Sequence, residues 1–347
     1  LIRQLKMENK KVVVAMSGGV DSSMTAKKMV DAGYEVYGVY LKLHAKEESH
    51  AANIANIDKV TKYLGINYEV VSLEDSFQKF VINPFIEHYK SGLTPNPCTF
   101  CNREIKFGAL VDFAIKKGYG YMATGHYVKC DGEFFYEATD KTKDQSYFLF
   151  NVKKEILPHL IFPLGDTIKT ELKEEALKIP EFASLSTQKE SSEICFVEET
   201  YIEALKDFGV DTDNAGKVVD EEGNEVGTHK GFMHYTVGQR KGFDVPLSHI
   251  PLYVKEIDAA TNSVVVCNKE TIFEDSFEAG LLNMFLSDTE FECEVKVRYR
   301  SEKTPATVKI EGDKAKVTLK KPQFAIAKGQ AAVFYDNNKV IGGGYIL

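Results

Sequence analysis

The sequence of 347 residues has no apolar run near the roughly 20 residues that a membrane-spanning helix requires, so no membrane span is expected. It has no internal repeat and no low-complexity segment, which argues against solenoids, tandem arrays and compositional linkers. Cysteine is sparse. Cys98, Cys101, Cys130, Cys195, Cys267 and Cys293 are too few to form the disulfide framework of a chain this long. Leu1 to Lys10 contain no apolar core of a secretory signal, so a cytoplasmic location is expected, with Met7 as the natural start. In that reducing compartment, spaced cysteines are more often catalytic or metal-binding than structural. There is no excess of positive charge either: the formal net charge is −8, which argues against a general nucleic-acid coat. From Phe291 to Gln330, however, lysines and arginines outnumber acidic residues, and charge alone reads this stretch as a solvated β-surface.

What is present is the composition of a globular protein, 44% hydrophobic and 27% charged, at a length that predicts two or three domains. Lys11 to Met16 (KVVVAM) reads as a buried parallel strand, followed by a glycine turn and a helix that stops at Gly33. Further strands are expected at Glu35 to Leu41, Asn67 to Ser72 and Gly120 to Thr124. Helices are expected at Asn53 to Leu64, Phe77 to Lys90 and Arg103 to Lys117, with a Pro/Gly-rich loop from Ser91 to Asn102. This alternation predicts an α/β fold with a doubly wound parallel sheet, whose ligands sit beyond the carboxyl ends of the strands. The Ser17 loop, Leu41 and Gly125-His126 all fall at such ends. After about Asp140 the pattern changes to helical segments near Lys153 to Leu160 and Lys169 to Leu177. From Gly216 onward, short strands between Gly, Asn and Asp turns predict two small β units.

The turn after the first strand is Ser17-Gly18-Gly19-Val20-Asp21-Ser22-Ser23. It lacks the Gly-Lys-Ser/Thr end of a Walker A loop, but the physics is related. Glycines let the backbone turn tightly and present N–H groups, and the helix that follows offers its positive end to an anion. Asp21 is out of place beside a phosphate unless Mg²⁺ lies between them. The loop resembles that of the N-type ATP pyrophosphatases, which cleave ATP to AMP and pyrophosphate while adenylating a substrate oxygen. That group includes amide-forming ligases and tRNA thiolases, and the loop does not choose between them.

The cysteines point to the second class. Cys98 and Cys101 lie on the proline-stiffened segment Thr94 to Asn102, where Asn102 is placed to cap the following helix and a thiol at a helix start has a lowered pKa. Cys195 follows the polar stretch Glu190 to Glu193, which suits a mobile exposed thiol. With SGGVDSS, TPNPCTFCNREIKF (Thr94 to Phe107), ATGHY (Ala123 to Tyr127), KDQSYFL (Lys143 to Leu149), the SxxxCF around Cys195, MHYTVGQRKG (Met233 to Gly242), RYR (Arg298 to Arg300) and GQAAVFY with GGG (Gly329 to Gly344), the sequence resembles the bacterial tRNA-specific 2-thiouridylases, the MnmA family, over almost its whole length.

That resemblance implies an ATP-pyrophosphatase domain at 1–200, a small β connector at 201–270 and a C-terminal β-barrel at 271–347 that contacts tRNA. It implies a tRNA-uridine 2-sulfurtransferase that adenylates O2 of a wobble uridine. A persulfide on Cys195 delivers the sulfur and Cys101 releases the product. ATP would be lined by Ala15, Met16, Ser17, Gly18, Gly19, Val20, Asp21, Ser22, Leu41 and Gly125. Asn96, Pro97 and Cys98 would face the base. His126, Asp144, Gln145, Ser146, Arg298, Tyr299 and Gln330 would meet tRNA. Mg²⁺, tRNA and a persulfide-carrying donor protein are the implied cofactor and partners, with a monomeric free enzyme. One departure stands out, since many family members carry Asp where this chain has Cys98. The change creates Cys-x-x-Cys, and Cys98, Cys101 and Cys195 together offer a [4Fe–4S] alternative to the persulfide relay, with zinc ranked third.

Overall fold

The structure, a computed structural model, describes residues 10–44, 47–188, 194–197, 199–243, 245 and 251–347. The expected start at Met7 and the polar flank Glu190 to Glu193 lie outside the described residues. The chain divides into two compact units. One comprises Leu1–Phe80, Thr99–Glu190 and Asn338–Ile341, the other Val81–Cys98, Ser191–Asn337 and Gly342–Leu347.

The first unit holds β1 (Lys11–Ala15), β2 (Glu35–Lys42), β3 (Asn67–Ser72), β4 (Tyr121–Ala123), a hairpin of β5 (Val128–Cys130) and β6 (Phe135–Glu137), and β7 (Leu160–Ile161). Five of these form a sheet in the order β3-β2-β1-β4-β7, and all its pairs are parallel. β1 is central, and Val12, Val13 and Val14 are fully buried, which is why its sequence is a continuous β-branched run rather than an alternation. The chain winds outward from β1 to β3 and then returns to the other side of β1 with β4. This reversal opens a crevice at the carboxyl ends of β1 and β4, where doubly wound sheets bind ligands.

Two helices frame that crevice. α1 (Val20–Asp31) follows the glycine turn, and α2 (Glu47–Leu64) follows β2. α2 begins six residues before the expected Asn53. Glu47 and Glu48 occupy its first turn, where carboxylates oppose the positive helix end. The helix expected from Phe77 to Lys90 is broken into Glu74–Phe77, a wide π-type turn at Gln78–Ile82 and Asn83–Lys90, because Pro84 has no N–H to continue the ladder. The one expected from Arg103 runs instead as a π-type segment over Cys101–Ala109 and an α-helix over Leu110–Lys116. Asn102 does not cap it: its Nδ2 donates to the Phe148 carbonyl at 3.0 Å, which leaves its Oδ1 buried and unbonded.

In the second unit, β8 (Gly216–Val219), β9 (Glu225–His229), β10 (Tyr253–Asp258) and β11 (Ser263–Cys267) form a sheet in the order β10-β11-β8-β9 over Val218, Val254, Val264 and Tyr235. β12 (Phe273–Met284), β13 (Glu290–Lys296), β14 (Thr304–Glu311), β15 (Lys314–Phe324), β16 (Ala331–Asp336) and β17 (Lys339–Ile346) run in the order β12-β15-β14-β13-β16-β17, and pairing of β12 with β17 closes them into a six-stranded barrel. Closure removes the exposed edges that an open sheet would present. Several lysines of the C-terminal region are laced to acids: Lys303 to Glu294, Lys309 to Glu311, Lys314 to Glu278 and Lys320 to Glu292. Among the described residues no helix is long and apolar enough to cross a membrane.

Candidate active site

The turn from β1 into α1 is built by its own short side chains. Ser17 N–H donates to Ser22 Oγ at 3.0 Å, and the two hydroxyls lie 3.2 Å apart. Ser22 and Ser23 hydroxyls donate back to the Gly19 carbonyl at 3.1 and 2.9 Å. Gly18 sits at φ +81°, and a Cβ there would fall 2.8 Å from the Asn53 carbonyl oxygen, so only glycine fits. Ala15 ends β1, and Met16 is buried, its N–H donating to Val39 O at 2.8 Å. Val20 starts α1 and is buried, while Leu41, near the end of β2, is half-buried. Gly125 closes the crevice from the β4 side: a Cβ there would lie 3.0 Å from the Asp21 backbone and 3.1 Å from Ser22 N. The sheet thus brings the residues expected to line ATP to one edge.

Asp21, the carboxylate that seemed misplaced beside a phosphate, is held by two partners. Lys169 Nζ lies 2.6 Å from both of its oxygens, and Tyr127 OH donates to Oδ1 at 3.0 Å. The Lys169 side chain is only 8% exposed, and its ammonium also lies 5.6 Å from the centre of the Tyr127 ring. Its backbone N–H donates to Asp140 Oδ2 at 3.0 Å. Burial alone would raise the Asp140 carboxyl, but bonds from Thr142 and from this N–H outweigh it and hold the carboxyl below its ordinary value. Lys169 was absent from the residues expected from sequence. It is 148 positions from Asp21, and nothing in its local sequence marks it. A divalent cation at this loop would find one hard ligand, Asp21. Among the described residues no group of three or more His, Cys, Asp and Glu is placed to hold a metal, so its other oxygens would have to come from phosphates and water.

His126 leaves β4 beside this crevice. Its Nδ1 lies 2.7 Å from Thr124 Oγ1, and its ring packs against Phe107 and Phe162. Burial, reinforced by Lys106, holds its pKa well below the ordinary 6.5, so the imidazole is neutral at pH 7. Gln145 Oε1 accepts from Tyr127 N–H at 2.9 Å. Asp144 and Ser146 are buried: Asp144 accepts from Ala138 N–H at 2.8 Å and from Ser146 Oγ at 2.8 Å.

Cys101 belongs to the first unit, where it is buried at the start of the π-type segment. Cys98 and Cys195 belong to the second, half-buried and exposed respectively. In that second unit, Asn96 and Pro97 are buried, and Thr94 N–H ties their loop to the Lys328 carbonyl at 2.9 Å. Gln330 N–H donates to Ala327 O at 3.2 Å. Arg298 spends its guanidinium internally, with Nη2 donating to the carbonyls of Val237 and Ala325. Tyr299 beside it is half-buried.

The family described as tRNA methyl transferase HUP domain matches residues 10–199, tRNA methyl transferase PRC-barrel domain matches 205–268, and aminomethyltransferase beta-barrel domain matches 276–346. Full-length relatives carry a different name. The tRNA-specific 2-thiouridylase MnmA of a Nitratiruptor species is 55% identical over 98% of this chain and 100% of its own. The proteins of that name from Sulfurimonas denitrificans and Campylobacter lari are 50% and 49% identical, each over 97% of this chain and 99% of their own. The fold is accordingly an α/β domain with a doubly wound parallel sheet, a small β domain and a C-terminal β-barrel, and the chain belongs to the tRNA-specific 2-thiouridylase (MnmA) family.

Proposed function

We propose that this chain, a tRNA sulfurtransferase by family, uses ATP to turn O2 of a wobble uridine into a leaving group and then replaces it with sulfur. The observation that carries this reading is the Ser17–Ser22 loop at the switch point of the parallel sheet, with α1 pointing its positive end at the crevice and buried Lys169 beside it. Uracil O2 attacks the α-phosphorus of ATP, and pyrophosphate departs. Mg²⁺, held by Asp21 and the phosphates, would supply positive charge against them. Terminal sulfur of a persulfide on Cys195 attacks C2, and AMP leaves with the former O2. Cys101 thiolate then attacks Cys195 Sγ, so that a Cys101–Cys195 disulfide forms and 2-thiouridine leaves as the thiolate. A cellular thiol must reduce that disulfide, and a persulfide-bearing donor protein must reload Cys195.

Uridine reaches such a site only out of its stack. Asn96, Pro97 and Cys98 are the residues assigned to the base, and His126, Gln145, Arg298, Tyr299 and Gln330 to the tRNA. Asp144 and Ser146 are buried and bonded within the chain, so they fit a role in holding the Gln145 segment rather than touching RNA. The assigned domains are catalytic (1–200), connector (201–270) and tRNA-contacting barrel (271–347).

The test is mass spectrometry of tRNA nucleosides after incubation with ATP, Mg²⁺ and a persulfide source. 2-Thiouridine should form with the parent chain and be lost in Cys101→Ser and in Cys195→Ser, while pyrophosphate release depends on tRNA. Undiminished turnover in Cys101→Ser would move the chain to the amide-forming ATP pyrophosphatases.

A further inference from the structure

α2 is packed against the back of the glycine turn, and its side chains touch the one peptide whose orientation matters most to an anion. Asn56 Nδ2 donates to the Gly18 carbonyl at 3.2 Å. Asn53, one turn earlier, presses on Gly18 with its backbone and Cβ, leaving no room for a side chain there. Asn53 Nδ2 is itself bonded to Tyr40 OH at 3.3 Å, and that hydroxyl lies 2.6 Å from Nδ1 of the buried His50. His50 Nε2 in turn lies 2.6 Å from the His44 carbonyl oxygen. Polar contacts therefore run from the His44 carbonyl through His50 and Tyr40 to Asn53, which packs against Gly18.

In a trans peptide the C=O and the following N–H point in opposite directions. A Gly18 carbonyl drawn back onto Asn56 therefore sends the Gly19 N–H away from α2, to the open side of the turn. There it meets Ser17 Oγ at 3.5 Å, the long limit of a hydrogen bond, so an arriving phosphate oxygen displaces little. Gly18, at φ +81° and with no side chain, has little of its own to fix this peptide.

We infer that Asn56 is a positioning residue for the nucleotide phosphates: by bonding the Gly18 carbonyl it pre-sets the Gly19 N–H as a donor, while Asn53 packs against Gly18 beside it. This rests on reading the loop as the phosphate site of ATP. Nucleotide binding thus draws on α2, although α2 offers no side chain to the ligand in this role. Asn56 is half-buried on the helix, so changes there leave the core intact.

The test is isothermal titration of the full chain with Mg-ATP and with AMP, for the parent, Asn56→Leu and Asn56→Asp, alongside thermal melts. Leucine removes the donor at similar volume, and aspartate faces the Gly18 carbonyl with acceptors only. Loss of one such donor predicts about a tenfold weaker affinity for ATP, with AMP affinity kept, since AMP lacks the phosphates that the loop holds. The KM for ATP in tRNA-dependent pyrophosphate release should rise in step while kcat changes less. ATP affinity in both variants equal to the parent's would overturn the inference, as would equal losses of ATP and AMP affinity, which mark a general collapse of the site. A parent chain that binds no ATP would overturn the reading of the loop itself, and the two failures are thereby told apart.

Discussion

Replacing Lys169 by methionine probes the Lys169–Asp21 ion pair of the phosphate loop. The lysine side chain is 8% exposed and that of Asp21 34%, with Nζ 2.6 Å from both carboxylate oxygens. Removing one partner of a fully buried pair costs about 3–5 kcal/mol. Asp21 keeps the Tyr127 hydroxyl and a third of its surface in water, so about 1–3 kcal/mol is expected for this pair. At about 2–4 °C per kcal/mol for a domain of this size, the melting temperature should fall by roughly 2–12 °C. Asp21→Asn removes the stranded charge, so the double variant D21N/K169M should recover most of the loss, with a coupling energy of about 1–2 kcal/mol in the four-chain cycle. Thermal melts followed by circular dichroism measure all four proteins. A K169M melt that superimposes on the parent's, or a double variant no more stable than the single, would refute the pairing as the reason Asp21 is tolerated at the loop.

Other consequences are open to simple measurement. His126 is held neutral by burial, so below pH 6.5 the unfolded chain takes up a proton that the folded chain refuses. Its contribution to stability is therefore lost as pH falls below 6.5, and His126→Asn should flatten that part of the urea-midpoint profile; an unchanged profile would count against burial as the cause. Arg298→Ala leaves the Val237 and Ala325 carbonyls without their donor and should cost about 1–3 kcal/mol by urea unfolding. An unaltered midpoint would return Arg298 to the surface cations available to RNA.

Much of the first unit was legible because the signals were local. KVVVAM could only be a strand buried on both faces, and a Gly-Gly turn between it and a helix fixed the ligand edge. The β5–β6 hairpin escaped because its strands have three residues each and too little alternation to register, although Asp131-Gly132 is a turn signal and Asp131 does bond the N–H groups of Glu133 and Phe134. Asn102 was misjudged as a cap because its actual partner, the Phe148 carbonyl, lies 46 residues away. The lysines after Phe291 gave a basic count in one dimension, while the barrel set several of them against glutamates of other strands.

By itself the sequence determined the main strands of the parallel sheet, where the glycine turn lies and which thiols are available, since backbone conformation there follows from a residue and its near neighbours in the chain. Only the tertiary structure decided that Lys169 answers Asp21, that Asn56 holds the Gly18 peptide and that Arg298 clamps two carbonyls. Those partners are set by strand order and helix packing, which bring together groups 148, 38 and 61 positions apart. No local propensity encodes such a pairing.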